Sequence, residues 1–167
     1  MTQSKHVIFS ALCLKCSCVR VNSQADRKRA RGSRKKVMYT DGAPSDRIMQ
    51  QFRQRRDGQI MTLEILAIAI GLSTFADEIK GERLFIFSDN VGAEGACREG
   101  KTKRWDHAKL VHGIWTQLLS YKTQPWFVRV PTAENISDCP SREVYHLMKK
   151  LRGIWRAPTL ADLYVES

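Results

Sequence analysis

Ile60-Met61-Thr62-Leu63-Glu64-Ile65-Leu66-Ala67-Ile68-Ala69-Ile70-Gly71-Leu72-Ser73-Thr74-Phe75-Ala76 is apolar nearly all round, with Glu64 as its one charged residue. The stretch is too rich in Ala and Leu for a strand and has the length of several helical turns, so it reads as a buried helix. At helical spacing Glu64 shares a face with Ile68, Gly71 and Phe75. An unpaired buried carboxylate costs several kcal/mol, so a basic side chain or a bound cation must compensate it. The plain alternatives are an ordinary ion pair and a helix-start position favoured by the dipole.

Downstream, Leu84-Phe85-Ile86-Phe87 is a continuous apolar run of the kind found in a sheet covered on both faces, and Asp89 follows it directly. Val91 to Glu99 reads as a short helix closed by Gly100. Trp105 to Lys122 places Ala108, Val111, Trp115, Leu118 and Leu119 on one amphipathic stripe. Trp126 to Val130 is a further strand stopped by Pro131, and Ser141 to Leu151 a final helix entered through Pro140. Upstream, His6 to Val21 suggests one or two strands, Val37 to Thr40 another, and Asp41-Gly42-Ala43-Pro44-Ser45 a turn. Ile48 to Arg56 has the pattern of a short basic helix with Ile48, Phe52 and Met49 facing inward. Strands alternating with helices make this an α/β chain.

The 167 residues suit one domain, divided into a basic segment 1–36, a folded domain 37–151 and a tail 152–167. Charged residues break every window long enough to span a membrane. Val7 to Leu14 after Lys5 resembles a short leader, but Lys15 and Arg20 interrupt it. Residues 1–36 supply nine of the eleven net positive charges. Their densest part, Arg27-Lys28-Arg29-Ala30-Arg31-Gly32-Ser33-Arg34-Lys35-Lys36, is either a solvated linker or an attractor of phosphates through counterion release. The cysteines are odd in number, which fits a reduced intracellular setting, nuclear or cytoplasmic. Cys13, Cys16 and Cys18 have half of a zinc ligand pattern and lack the other half.

Asp89, in Phe87-Ser88-Asp89-Asn90, stands at a strand's carboxyl end, where open α/β sheets gather ligands; a helix cap is its plain alternative. Asp138, in Asn135-Ile136-Ser137-Asp138-Cys139-Pro140-Ser141-Arg142, has the same alternative. Together with Glu64 these carboxylates can converge at one sheet edge. Hard oxygen donors with few His or Cys nearby select Mg²⁺ or Mn²⁺, and a pair of such ions roughly 4 Å apart supports phosphodiester hydrolysis.

These three stretches, Met61 to Ile68, Phe87 to Ala93 and Val130 to Arg142, resemble the ribonuclease H domains of retroelement polyproteins, especially DIRS-like reverse transcriptases. The likeness runs from about Val37 to Leu151. It implies a ribonuclease H-like fold with a mixed central sheet flanked by helices. It also implies that Glu64, Asp89 and Asp138 match the second, third and fourth metal carboxylates. The implied substrate is the RNA strand of an RNA/DNA hybrid, and a fused or associated reverse transcriptase is the implied partner.

The family's first carboxylate lies on the first strand of a three-strand meander, and only Asp41 and Asp46 are near. If Asp41 begins the sheet, the 23 steps to Glu64 must hold two more strands. If Val37 to Thr40 is the third strand, Asp41 lies in a turn remote from Glu64 and Asp89, and Val7 to Ala11, which carries no carboxylate, is the first. An acid placed there, by Ser10→Asp or Ala11→Asp, then becomes the substitution expected to raise activity.

Arg98, Lys101, Lys103 and Arg104 surround Gly100, where they form either a solvated loop or a phosphate contact. With Asn90, Arg27, Lys28, Arg29 and Arg31 they are the candidate nucleic-acid contacts. Trp105, Trp115 and Trp126 read as core or core-edge aromatics, His107 and His112 as helix surface, and Asn135-Ile136-Ser137 as a chance glycosylation triplet. Three functions follow. They are a metal-dependent endonuclease cutting RNA in hybrids, a catalytically impaired nucleic-acid-binding remnant of one, and another nuclease of the same architecture, of integrase or resolvase type.

Overall fold

A computed structural model describes residues 9–15, 36–52 and 59–164. The chain is mixed α/β, with two small sheets. In the first, β1 (Phe9–Lys15) runs antiparallel to β2 (Lys36–Gly42), Ser10 opposite Asp41. The two-residue β5 (Ile154–Trp155) lies parallel on the other side of β2. In the second, β3 (Arg83–Ser88) pairs in parallel with β4 (Gln124–Arg129). A parallel pair needs a crossover, here supplied by α4 (Val91–Glu99) and α5 (Trp105–Ser120).

The helix α2 (Ile60–Thr74) is the axis of the core. It packs against β1, α4 and α5, so an all-round apolar surface is what its surroundings require. Ile65, Leu66 and Ala69 are wholly buried. Each large side chain so placed contributes about 1.5–3 kcal/mol, and Ile65→Ala would cost about 2–5 kcal/mol. The helix gives way at Phe75 to the short α3 (Ala76–Ile79). On α4, Asn90 caps the start by accepting from the Ala93 amide at 3.0 Å, and Gly100 closes the end in the left-handed region, φ 67°.

Several expectations are corrected. Asp41 and Gly42 belong to β2, so the turn begins only at Ala43. The helix expected from Ile48 is α1 (Asp46–Met49), with Phe52 buried and Ile48 and Met49 against the core as expected. The covered strand is covered on one face only: Leu84 and Ile86 meet the core, whereas Phe85 and Phe87 are 59% and 53% exposed. A two-stranded sheet with its helices on one side leaves the other bare. On α5 the buried stripe is rotated from the expected one, with Leu119 exposed and His107 buried. His107 is accommodated by Thr62 of α2, Oγ1 to Nε2 at 2.7 Å, so a polar side chain there marks a helix contact and not a surface.

The final helix is divided into α6 (Asp138–Ser141) and α7 (His146–Lys150), separated where Glu143 takes φ 58°. Residues 152–164, within the segment expected as a tail, pack on the body. Beyond β5, the Ala161 amide donates to Ser73 Oγ at 3.1 Å, and the buried Tyr164 donates to Gln117 Oε1 at 2.8 Å. No helix among the described residues is long and apolar enough to cross a membrane. Arg27, Lys28, Arg29 and Arg31, Cys16 and Cys18, and Val7 and Ile8 lie outside the described residues.

Candidate functional site

Because β3 and β4 are parallel and in register, Ser88 beside Arg129, the segments leaving them emerge at the same sheet edge. Asp89 is the first residue beyond β3, and the loop after β4 carries Asn135 and Asp138. Glu64 reaches that edge from the second turn of α2. The approach of α4 to α2 is close at Gly92, where a Cβ would sit 2.9 Å from Met61 Sδ. Met61 and Glu64 share a helix face, so the close approach at Gly92 brings the start of α4, with Asp89, toward Glu64.

Asp89 and Asp138 both act on Glu64. Glu64 is half-buried, and burial first, then the charges of Asp89 and Asp138, push its carboxyl up from 4.5 to about 7. No Lys or Arg among the described residues pairs with it, which removes the ion-pair alternative. Its fifth place in α2 removes the helix-start alternative. Capping does not explain Asp89 either, since Asn90 is the cap.

Asp89 instead accepts from Asn135 Nδ2 at 3.1 Å. The Asn135 carbonyl accepts from Ser137 Oγ at 2.6 Å, and this directs the amide nitrogen toward Asp89. Asp138 begins α6 and receives Arg142 twice on Oδ2, from Nη2 at 2.9 Å and Nε at 3.1 Å. Asn135 and Arg142 stood within the quoted motif, but their partnerships were not read from it. Among the described residues no three His, Cys, Asp or Glu side chains form a group that could hold a metal ion as they stand. The donor chemistry nonetheless fits a hard divalent cation: carboxylate oxygens only, around a carboxyl driven toward protonation first by burial and then by like charges. Such an ion would compete with Arg142 for Asp138.

Asp41 is not among the charges that raise Glu64. Its Oδ2 accepts from the Tyr145 hydroxyl and its Oδ1 from Trp155 Nε1 at 2.8 Å. The bond to Asp41 is the first cause that pushes the Tyr145 hydroxyl up to about 12. Of the candidate nucleic-acid contacts, Asn90 is occupied as a cap, Arg98 pairs with Glu94 at 2.9 Å, and Lys101, Lys103 and Arg104 are exposed. No protein-family model matches the chain, no curated protein matches it, and no solved structure matches its fold.

Proposed function

We propose that this chain is a ribonuclease H-like domain that acts on the RNA strand of RNA/DNA hybrids with Mg²⁺ or Mn²⁺ held by Glu64, Asp89 and Asp138. The observation that carries the reading is that a partly buried Glu64 feels the charges of both Asp89 and Asp138, with no ion pair to Glu64 among the described residues. A bound divalent cation would supply charge neutralisation and an activated water for phosphodiester hydrolysis. The protein's own part is to orient oxygens. Asn135 holds Asp89, the Gly92 contact sets α4 against α2, and Arg142 holds Asp138 until an ion displaces it. The exposed Lys101, Lys103 and Arg104 would neutralise backbone phosphates, with the basic N-terminal segment adding affinity without sequence reading.

Asp41 is engaged elsewhere, which favours a second reading, a three-carboxylate domain that binds hybrids and cleaves them slowly or not at all. An assay with a labelled RNA/DNA hybrid and Mn²⁺ separates the two. Cleavage that falls at least about 100-fold in Glu64→Gln and in Asp89→Asn, in the range expected for losing metal-assisted catalysis, supports the nuclease. Salt-dependent hybrid binding without cleavage supports the second reading, and absence of both defeats each of them.

A further inference from the structure

Asp41 sits in the floor of an open hollow of about 380 Å³ lined by Tyr39, Asp41, Tyr145, Lys149 and Trp155. Its position follows from the sheet. Tyr39 and Trp155 are register partners on β2 and β5, so their rings rise from the same face, and Trp155 is 51% exposed. Tyr145 completes the wall, its ring 6.2 Å from that of Tyr39 and tilted by 43°. Tyr39 is braced from behind by Gly153, where a Cβ would lie 3.2 Å from the ring. The chain enters β5 through Arg152 in the left-handed region, φ 53°.

Two features define what such a hollow takes. Asp41 receives only neutral donors, Tyr145 and Trp155. A carboxylate has about four lone-pair directions, so both oxygens keep capacity for a ligand's N–H groups. The rim carries positive charge from Lys149, which is exposed and part of the lining. Aromatic walls around an anion would otherwise suit a quaternary ammonium, but Lys149 in the lining opposes a positive ligand. A flat ring with adjacent N–H donors and an attached negative group satisfies the walls, Asp41 and the rim together.

We propose that this hollow is a binding site for an unpaired guanine nucleotide. The base stacks on Trp155 and Tyr39, its N1–H and 2-amino group donate to Asp41, and its phosphate lies toward Lys149. The site is separate from the carboxylates at the β3–β4 edge and does not depend on their metal. Single unpaired bases held on aromatic side chains are a common way for basic proteins to hold a nucleic-acid strand.

Calorimetric titration of the full chain with GMP, IMP and UMP in EDTA tests it. GMP should bind tightest. IMP, which lacks the 2-amino donor, should bind roughly tenfold more weakly, as expected for losing a hydrogen bond to a charged acceptor. Trp155→Ala should weaken GMP roughly tenfold, as expected for losing a stacking surface, and Asp41→Asn should erase the preference for GMP over IMP. Equal binding of the three nucleotides to the unaltered protein would overturn the proposal whatever the variants do, as would tighter binding of tetramethylammonium than of GMP. Because metal is absent, failure of the nuclease reading leaves this outcome untouched.

Discussion

Glu64 and Asp41 are both partly buried carboxylates on regular elements, yet their neighbours are opposite in kind. Glu64 faces two further carboxylates, whereas Asp41 faces a hydroxyl and an indole N–H. Neutral donors hold an anion in place without adding charge, so Asp41 is fixed by its two partners while its oxygens keep acceptor capacity. Like charges do the reverse, and the Glu64 edge stays poised for a cation or a proton. At Glu64 burial is the larger cause of the raised carboxyl and the neighbouring charges add to it, whereas the hydrogen-bond partners of Asp41 are neutral.

The largest expected effect comes from supplying that cation. Saturating Mn²⁺ at about 100 times its Kd should raise the stability of the unaltered protein by about 2.7 kcal/mol. Asp89→Asn should abolish the gain, and Asp41→Asn should keep it. Melting temperatures with and without Mn²⁺ measure this, and a gain lost in Asp41→Asn but kept in Asp89→Asn would reverse the assignment of the two sites.

Protons should act next. The Glu64 carboxyl is raised from 4.5 to about 7. Below about pH 4.5 it is protonated in folded and unfolded chains alike. Between there and pH 7 the unfolded chain ionises while the folded one resists, so stability falls as pH rises through that window. Glu64→Gln should therefore be more stable than the parent at pH 8, by on the order of 2 kcal/mol after discounting for solvent at a partly exposed group. At pH 4 the two should agree. Parallel denaturation curves at both values would show that the repulsion is not felt.

At the other carboxylate, Tyr145→Phe removes one donor from Asp41 and should cost about 1 kcal/mol. In Asp41→Asn the Tyr145 step of the tyrosine absorbance titration should move down, since the bond to Asp41 is the first cause holding Tyr145 near 12. The smallest effect is expected from Arg142→Gln. Its ion pair with Asp138 is largely exposed on the arginine side, so the loss in EDTA should stay under about 1 kcal/mol. The gain from Mn²⁺ should increase, because Asp138 no longer has a competing cation. A decrease would mean that Arg142 holds Asp138 in its binding position.

The helix α2 and the three-carboxylate edge were visible in the sequence because their signals are local or ordered. A long all-round apolar run has one reading, and a carboxylate just beyond an apolar strand has few. Asp41 was not visible in this way. Its partners lie 104 and 114 residues downstream, in a stretch read as a helix and a tail, and no spacing rule reaches across the fold. His107 was misplaced because its burial depends on Thr62, a threonine on another helix. The bare face of Phe85 and Phe87 was missed for a third reason, since composition reports that a strand is apolar and not how many layers lie over it.

The residues after β5 carry a consequence for where this domain ends. Leu160, Ala161 and Tyr164 lie against the core. At Gly113 of α5 a Cβ would meet the Tyr164 ring at 2.4 Å, so the helix has been hollowed to receive that ring. Thr159 and Ala161 reach across to Thr74 and Ser73 at the end of α2. One short peptide thus clasps the two central helices from outside. Amide exchange at the C-terminal turns of α2 and α5 is consequently tied to this clasp, and a chain cut at Leu151 would leave an open slot along Gly113 and Gln117. The limit of a cooperative unit is set by where burial ceases, several turns beyond the last residue that any catalytic motif would name.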